Sequence, residues 1–192
     1  MRIALLLLLL ASPSAHAIKL SVAGAMNYAK PETAGNYEAK SATGYGAFLE
    51  FGFIPPLIGL ELGALQLTRK YATTAGSETI TSFKGYQYPV LLRANLGFLS
   101  FGLGGYWMQY KGSVSRESPQ SGVATSSTFA DSNLTTSDFG LASSLRLSVD
   151  LAPLFRVFGE GRYNMGLKDN DPGAAETKFT EMMGLAGLQV GF

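Results

Sequence analysis

Hydrophobic residues occupy every second position in eight separate segments of the chain. A period of two residues is the pattern of β-strands that have two different faces. The segments cover residues 18–28, 44–53, 57–70, 84–96, 99–111, 138–150, 155–167 and 178–192. The chain is therefore predicted to be all-β. We expect a β-bulge near Ala64 and Leu65, where the alternation changes phase, and either a bulge or local unpairing at Pro89.

The connections between the segments alternate between short and long. Short ones contain Pro55-Pro56, Gly97-Phe98 and residues 151–154, whereas long polar ones cover residues 30–42, 72–83, 112–137 and 168–177. Strands of about ten residues cross a hydrocarbon layer when tilted by roughly 45°, and an even number of them closes without a free edge. The pattern predicts an eight-stranded antiparallel up-and-down transmembrane β-barrel with short periplasmic turns and long extracellular loops. The longest loop, residues 112–137, is expected to be mobile.

The aromatic residues indicate which face points outward. On the apolar face they fall at two levels, one near the short turns and one near the long loops. The first level contains Phe51, Phe53, Phe101 and Phe155, and the second contains Tyr28, Tyr45, Tyr86, Tyr88, Trp107 and Tyr163. Two aromatic girdles around an aliphatic band are typical of a lipid-facing barrel. A soluble lipocalin-like carrier, the third hypothesis, would turn its apolar face inward.

The opposite face of the strands carries ten charged residues, five of each sign. They are Lys19, Arg93, Arg146, Arg156, Arg162, Glu50, Glu61, Asp150, Glu160 and Glu181. An eight-stranded barrel is only wide enough to be filled by side chains, so we interpret these residues as a buried ion-pair network. The alternative is the charged constriction of a narrow passive channel for ions or small solutes. Glu50 and Glu61 lie nearly opposite across one tight turn and would repel each other, so we expect Arg93 to bridge them.

The first seventeen residues have the features of a Sec-type signal peptide. Met1-Arg2 supplies a positive start, residues 3–10 form an apolar run, and residues 15–17 form a small-x-small cleavage site. We therefore expect residues 1–17 to be a signal peptide and residues 18–192 to be the barrel domain.

Removal of that peptide would leave no histidine, and the chain contains no cysteine. These absences exclude a thiol nucleophile, an imidazole base and the usual ligands of zinc, copper and haem. We therefore predict no catalysis and no cofactor. Residues 169–171, Asp-Asn-Asp, offer oxygen ligands for a weak calcium site, but the same residues are turn formers, so we predict no metal site. A formal net charge of +1 offers no electrostatic footprint for nucleic acid.

The last segment ends in Phe192, with Val190 and Leu188 at the alternate positions before it. This ending resembles the signal read by the outer-membrane assembly machinery. Residues 88–93, Tyr-Pro-Val-Leu-Leu-Arg, are similar to the proline-containing fourth strand of small outer-membrane barrels. From residue 18 to residue 192 the chain resembles the small eight-stranded outer-membrane β-barrels of Gram-negative bacteria, the OmpA and OmpX-like class often called porin-family or outer-membrane β-barrel-domain proteins.

This resemblance implies location and fold more than activity. Two enzyme families share the fold, a palmitoyl transferase and a lipid A deacylase, but each relies on a histidine that the predicted mature chain lacks. We expect a non-catalytic protein of the bacterial outer membrane with an envelope-structural or surface-interaction role. Its expected partners are outer-membrane lipid, lipopolysaccharide and the assembly machinery, and we expect a monomer.

Overall fold

The computed structural model describes residues 18–33, 36–73, 77–132, 134–170 and 177–192, so the predicted signal peptide lies outside the described residues. These residues form nine strands. They are β1 Ile18–Glu32, β2 Tyr37–Ile54, β3 Ile58–Thr73, β4 Thr79–Leu96, β5 Leu99–Ser118, β6 Val123–Ser127, β7 Ser137–Ala152, β8 Phe155–Gly166 and β9 Lys178–Gly191. Among the described residues, no helix is long and apolar enough to cross a membrane.

Eight of the nine strands close into an antiparallel ring in the order β1-β2-β3-β4-β5-β7-β8-β9. Strand β9 pairs with β1, and backbone hydrogen bonds of 3.4 and 2.8 Å between Ile18 and Phe192 complete the seam. The predicted eight-stranded up-and-down barrel is confirmed. We call the end with the tight connections after β2, β4 and β7 the turn end, and the opposite end the loop end.

The two faces of the barrel wall differ as a lipid-facing barrel requires. Along β1 every second residue is buried, and the residues between them are exposed. The large aliphatic side chains point outward, with Leu103 exposing 69% of its surface, whereas Arg69 and Arg93 are fully buried. A soluble domain shows the reverse distribution, so the soluble-carrier hypothesis is wrong.

Strand β3 keeps its alternation through Ala64 and Leu65, so the predicted β-bulge is wrong. Leu65 and Leu67 point into the barrel on the same face as Glu61. The prediction failed because apolar residues on the inward face look, in the sequence alone, like a shift of the apolar face by one residue. At Pro89 the predicted local unpairing is confirmed. Pairing with β3 stops between Val90 and Gln87 without a register shift.

The connection between β5 and β7 is not the irregular loop that was expected. Strand β5 continues to Ser118, and β6 folds back onto it to form a hairpin above the ring. Phe129, which follows this hairpin, is buried. The sequence pattern missed the hairpin because Val114 is its one buried apolar residue, and a single such residue gives no period of two although the backbone ladder continues.

Candidate functional site

Five charged side chains meet inside the barrel near the turn end. Each of Glu61 and Glu160 contacts all three arginines of the group, which are Arg93, Arg146 and Arg162. The nearest contacts of Glu61 are 2.7 Å to Arg93, 2.6 Å to Arg146 and 3.0 Å to Arg162. Those of Glu160 are 2.9, 2.6 and 2.7 Å to the same three. We call these five residues the turn-end cluster.

The turn-end cluster forms across the barrel rather than along its wall. Glu61 is on β3 and Arg162 is on β8, on opposite sides of the ring. An eight-stranded barrel is narrow enough for side chains to meet in this way. All of these side chains are at most 3% exposed, so the cluster fills the cross-section where it lies.

The predicted bridge from Arg93 to both Glu50 and Glu61 is wrong. Arg93 binds Glu61 and Glu160, whereas Glu50 binds Lys19 at 2.6 Å. The residue that lies between the two paired carboxylates is Arg146, which is 2.6 Å from Glu61 and 3.8 Å from Glu50. It reaches them from β7, across the lumen, and sequence neighbourhood alone does not reveal such a contact.

A second group of buried polar residues lies towards the loop end, centred on Arg69. Its guanidinium lies 2.7 Å from Asp138 and 3.5 Å from Glu181, and it donates a hydrogen bond to the Tyr110 hydroxyl. The Tyr106 hydroxyl donates to Asp138 at 3.1 Å. We call these five residues the loop-end cluster.

Amide side chains complete the coordination of Glu181. Its carboxylate accepts hydrogen bonds from Asn27 at 2.9 Å and from Gln87 and Asn164 at 3.2 Å. The Arg69 guanidinium also lies over the ring of Phe179, 4.8 Å from its centroid. Neutral donors and an aromatic face thus supply what a second cation would otherwise supply.

Sequence reasoning placed Glu181 inside the barrel but missed Arg69 and Asp138. Arg69 is eight residues beyond Glu61 on β3, so a constant period of two puts both on the same face. The expected phase change at Leu65 hid this relation. Asp138 is the first residue of its predicted strand, and the alternation does not show there whether the side chain points inward or outward.

An apolar layer lies between the two clusters on one side of the barrel. On β3, Leu65 and Leu67 lie between Glu61 and Arg69, which are roughly 26 Å apart along the strand at about 3.3 Å per residue. Leu91 and Phe48 complete the layer from β4 and β2, and all four side chains are at most 2% exposed. Packed hydrocarbon therefore lies between the clusters along β2, β3 and β4, whereas on β8 the inward-facing Arg162 and Asn164 follow each other directly.

The loop end is closed above Arg69 by aromatic rings. Phe83 contacts four of them, Tyr71, Tyr110, Phe129 and Phe179, at centroid distances of 4.9 to 6.4 Å. All four rings are buried. Tyr71, Tyr110 and Phe179 come from three different strands, and Phe129 comes from the segment after β6. We call these five residues the aromatic lid.

Asp150 and Arg156 lie at the mouth of the lumen rather than in the buried network, which corrects the prediction for this pair. They bind each other at the turn end, and the Asp150 side chain is 48% exposed. The register between β7 and β8 shifts just beyond Asp150, so the alternation that predicted an inward direction ends there.

The aromatic residues predicted for the membrane boundaries lie on the outer surface. Phe51 is half-buried, and the others are exposed: Tyr28, Tyr45, Phe53, Tyr86, Tyr88, Phe101, Trp107, Phe155 and Tyr163. Tyr88 stacks on Trp107 with 5.5 Å between ring centroids. At the seam, Phe192 and Leu188 are exposed and Val190 is half-buried.

The interior offers little chemistry beyond ion pairing. Every carboxylate oxygen of Glu61 and Glu160 accepts at least two hydrogen bonds from guanidinium groups. Such a carboxylate acts as a general base only after an ion pair breaks. Within the described ranges, no group of three or more Asp, Glu, His or Cys side chains could hold a metal ion.

A family model described as "Outer membrane protein beta-barrel domain" matches residues 3–192. No curated protein matches the chain. The solved structure of Ail, the attachment invasion locus protein of Yersinia pestis, is 17% identical, with 90% of this chain and 97% of that chain covered and a TM-score of 0.49. Neisserial surface protein A is 12% identical, with 92% and 97% covered and a TM-score of 0.49. The outer membrane protease OmpT from Escherichia coli is 9% identical, with 92% and 94% covered and a TM-score of 0.42.

Proposed function

The chain belongs to the outer membrane protein β-barrel domain family, and we propose that it is a non-catalytic, non-conducting scaffold of the bacterial outer membrane. The observation that carries this proposal is the filled interior. The turn-end cluster, the apolar layer, the loop-end cluster and the aromatic lid follow one another along the barrel axis. A small barrel filled in this way supports its wall and its loops rather than passing solutes.

The loop end supplies the surface that such a scaffold would present. Strand β5 and β6 form a hairpin whose residues Arg116, Glu117 and Val123 are exposed. Phe129 anchors the segment after this hairpin in the aromatic lid. A hairpin held on a rigid base suits either an envelope-structural role or a surface interaction, and the proposal includes both.

The proposed partners follow from the outer surface. The exposed aliphatic band and its aromatic borders would contact outer-membrane lipid, including lipopolysaccharide. The last strand, with Leu188, Val190 and Phe192, would be read by the assembly machinery during insertion. We propose a monomer because the ring closes through its own β1 and β9.

The absence of catalysis is part of the proposal. Residues 18–192 contain neither histidine nor cysteine, and the buried carboxylates are held by guanidinium and amide groups. Acid-base or nucleophilic chemistry would need a reactive group that is free of such partners.

A narrow passive channel is the second candidate. The interior is lined with charge, and the buried atoms Arg162 Nη1 and Ser144 Oγ lack hydrogen-bond partners within the described part of the chain. Charged constrictions with spare donors are a property of ion-selective pores.

Conductance across planar lipid bilayers separates the two candidates. The full chain would be inserted, with folding checked by its heat-dependent gel mobility, and current recorded for the wild type, Arg93→Gln and Glu160→Gln. The scaffold predicts no discrete current steps from the wild type. Reproducible steps from the wild type whose size changes in either variant would establish the channel and overturn the scaffold.

A further inference from the structure

Three lysines share the outer face of the barrel near the loop end. Lys84 on β4 is paired directly with Lys111 on β5. Lys70 lies on β3, two residues beyond Thr68, which pairs with Lys84 on its other side. We call Lys70, Lys84 and Lys111 the lysine patch. Like charges directly opposite each other in a sheet destabilise it, so this arrangement calls for compensation.

The protein itself does not supply that compensation. Among the described residues, no carboxylate forms an ion pair with any member of the lysine patch. Glu78 is the acidic residue closest to Lys84 along the chain, and it binds Lys40 at 3.2 Å instead. In contrast, each fully buried arginine of the barrel contacts at least two carboxylates. The lysine patch is therefore a site at which an external anion would relieve repulsion.

An apolar groove of about 620 Å³ runs along the outer surface beside the lysine patch. Its floor is low because Gly24, Ala47, Ala64 and Ala186 are small residues, and Tyr86 forms the part of its wall nearest the lysines. Tyr86 is two residues from Lys84 on the same face, roughly 7 Å along the strand. The groove therefore ends beneath the lysines, at the level of the exposed aromatic residues.

Cations above an apolar groove on a lipid-facing wall match one class of molecule. We propose that the lysine patch and the groove bind a phosphorylated, acylated lipid of the surrounding leaflet. Its phosphate would lie on the lysines and one acyl chain would lie in the groove. Lysine binds phosphate as a compact point charge, and its long stem reaches from an apolar wall to the headgroup level. This inference rests on the proposed membrane location, but not on whether the barrel conducts.

Tryptophan quenching provides the test, with Tyr86→Trp introduced into a Trp107→Phe background, because Trp107 is the only tryptophan and Tyr86 lines the groove two residues from Lys84. Lipids with brominated acyl chains quench a tryptophan that they touch. The full chain would be reconstituted in phosphatidylcholine vesicles containing either brominated phosphatidic acid or brominated phosphatidylcholine. We expect a preference for phosphatidic acid of at least about tenfold, since each lysine near a lipid surface contributes about fivefold.

The triple variant Lys70→Gln/Lys84→Gln/Lys111→Gln is expected to lose this preference. The matched control Lys30→Gln/Lys168→Gln/Lys178→Gln removes the same charge from the same end of the barrel and is expected to keep it. Equal preference in both triple variants, each folded and inserted, would overturn the inference and leave the scaffold proposal standing. Failure of the wild type to insert would instead contradict the scaffold proposal.

Two further measurements separate a lipid from a bare phosphate. Ala64→Phe fills the groove and is expected to reduce quenching by brominated phosphatidic acid severalfold, with all three lysines intact. Inorganic phosphate is expected to compete weakly, because it cannot use the groove. If Ala64→Phe has no effect, or if inorganic phosphate displaces the lipid at equal concentration, the site is a simple anion site and the lipid proposal is wrong.

Discussion

Each of the two charged clusters holds two buried carboxylates, but they neutralise these carboxylates with different numbers of cations. In the turn-end cluster, three arginines surround Glu61 and Glu160, and each carboxylate contacts all three. In the loop-end cluster, Arg69 alone faces Asp138 and Glu181. The comparison shows that one interior can contain both a redundant network and a network with a single critical residue.

The clusters also differ in how completely their polar atoms are satisfied. Around the loop-end cluster, Arg69 Nε and the amide oxygens of Asn27, Gln87 and Asn164 have no hydrogen-bond partner within the described residues, whereas the turn-end cluster has one such atom there, Arg162 Nη1. Those three amides direct their nitrogens to Glu181, so their oxygens face away from it. The loop-end cluster therefore has fewer groups that could replace a lost contact, and we expect removal of its cation to destabilise the protein most.

Replacing the single cation, Arg69→Met, is predicted to have the largest effect. It leaves two buried carboxylates without a cation and is expected to lower the free energy of unfolding by about 3–5 kcal/mol. Urea titration in lipid vesicles, followed by Trp107 fluorescence, measures this. The exposed Lys30→Met is the control. A loss below about 1 kcal/mol for Arg69→Met would show that the amide and tyrosine side chains stabilise the two carboxylates without the cation.

Removing one of three cations, Arg93→Met, is predicted to cost less. Arg146 and Arg162 remain within 3.0 Å of both Glu61 and Glu160, so the change removes hydrogen bonds to charged groups without leaving a bare carboxylate. We expect about 1.5–3 kcal/mol in the same titration. If Arg93→Met costs as much as Arg69→Met, the turn-end cluster is not redundant.

The aromatic lid is predicted to contribute less than either cluster. Phe83→Leu preserves most of the apolar volume but removes four ring contacts, and we expect a loss of about 1–2 kcal/mol. Phe98→Leu at the turn end is the matched control, since Phe98 is exposed. Equal losses in the two variants would mean that the lid does not stabilise the loop end.

The smallest effect is predicted for the exposed ion pair at the turn end. Asp150→Asn removes the partner of Arg156, but solvent reaches both side chains. Exposed pairs contribute about 0–1 kcal/mol, so the unfolding midpoint should barely move, and less so in high salt. A loss comparable with that of Arg93→Met would place this pair in the buried network after all.

The fold could be predicted from the sequence because lipid imposes a strict rule on it. A barrel wall in hydrocarbon needs an apolar residue at every second position, and that rule marks all eight strands of the ring. Above the membrane the rule ends, because the outer face meets water and no longer needs to be apolar. This is why the continuation of β5 beyond residue 111 and the hairpin with β6 were not predicted.

The candidate site could be predicted only in part. Charged residues on the inner face of a lipid-facing strand stand out, as Arg93, Glu160 and Arg162 did. Arg69 did not stand out, because Leu65 and Leu67 share its face and disguise the alternation. The choice of partners is set by contacts across the ring, so Arg146 rather than Arg93 approaches Glu50, and no pairing of neighbouring strands reveals this.

The central claim is that the two clusters are separate units, which share no ion-pair partner among the described residues. A double-mutant cycle between Tyr106→Phe in the loop-end cluster and Arg93→Met in the turn-end cluster tests it most directly. The predicted result is additivity within about 0.5 kcal/mol, because the sites share no partner. As a positive control, Arg93→Met with Arg146→Met, which share both glutamates, should show a coupling of about 1 kcal/mol or more. A coupling of that size between Tyr106 and Arg93 would contradict the claim, since it would mean that one continuous polar network runs through the barrel.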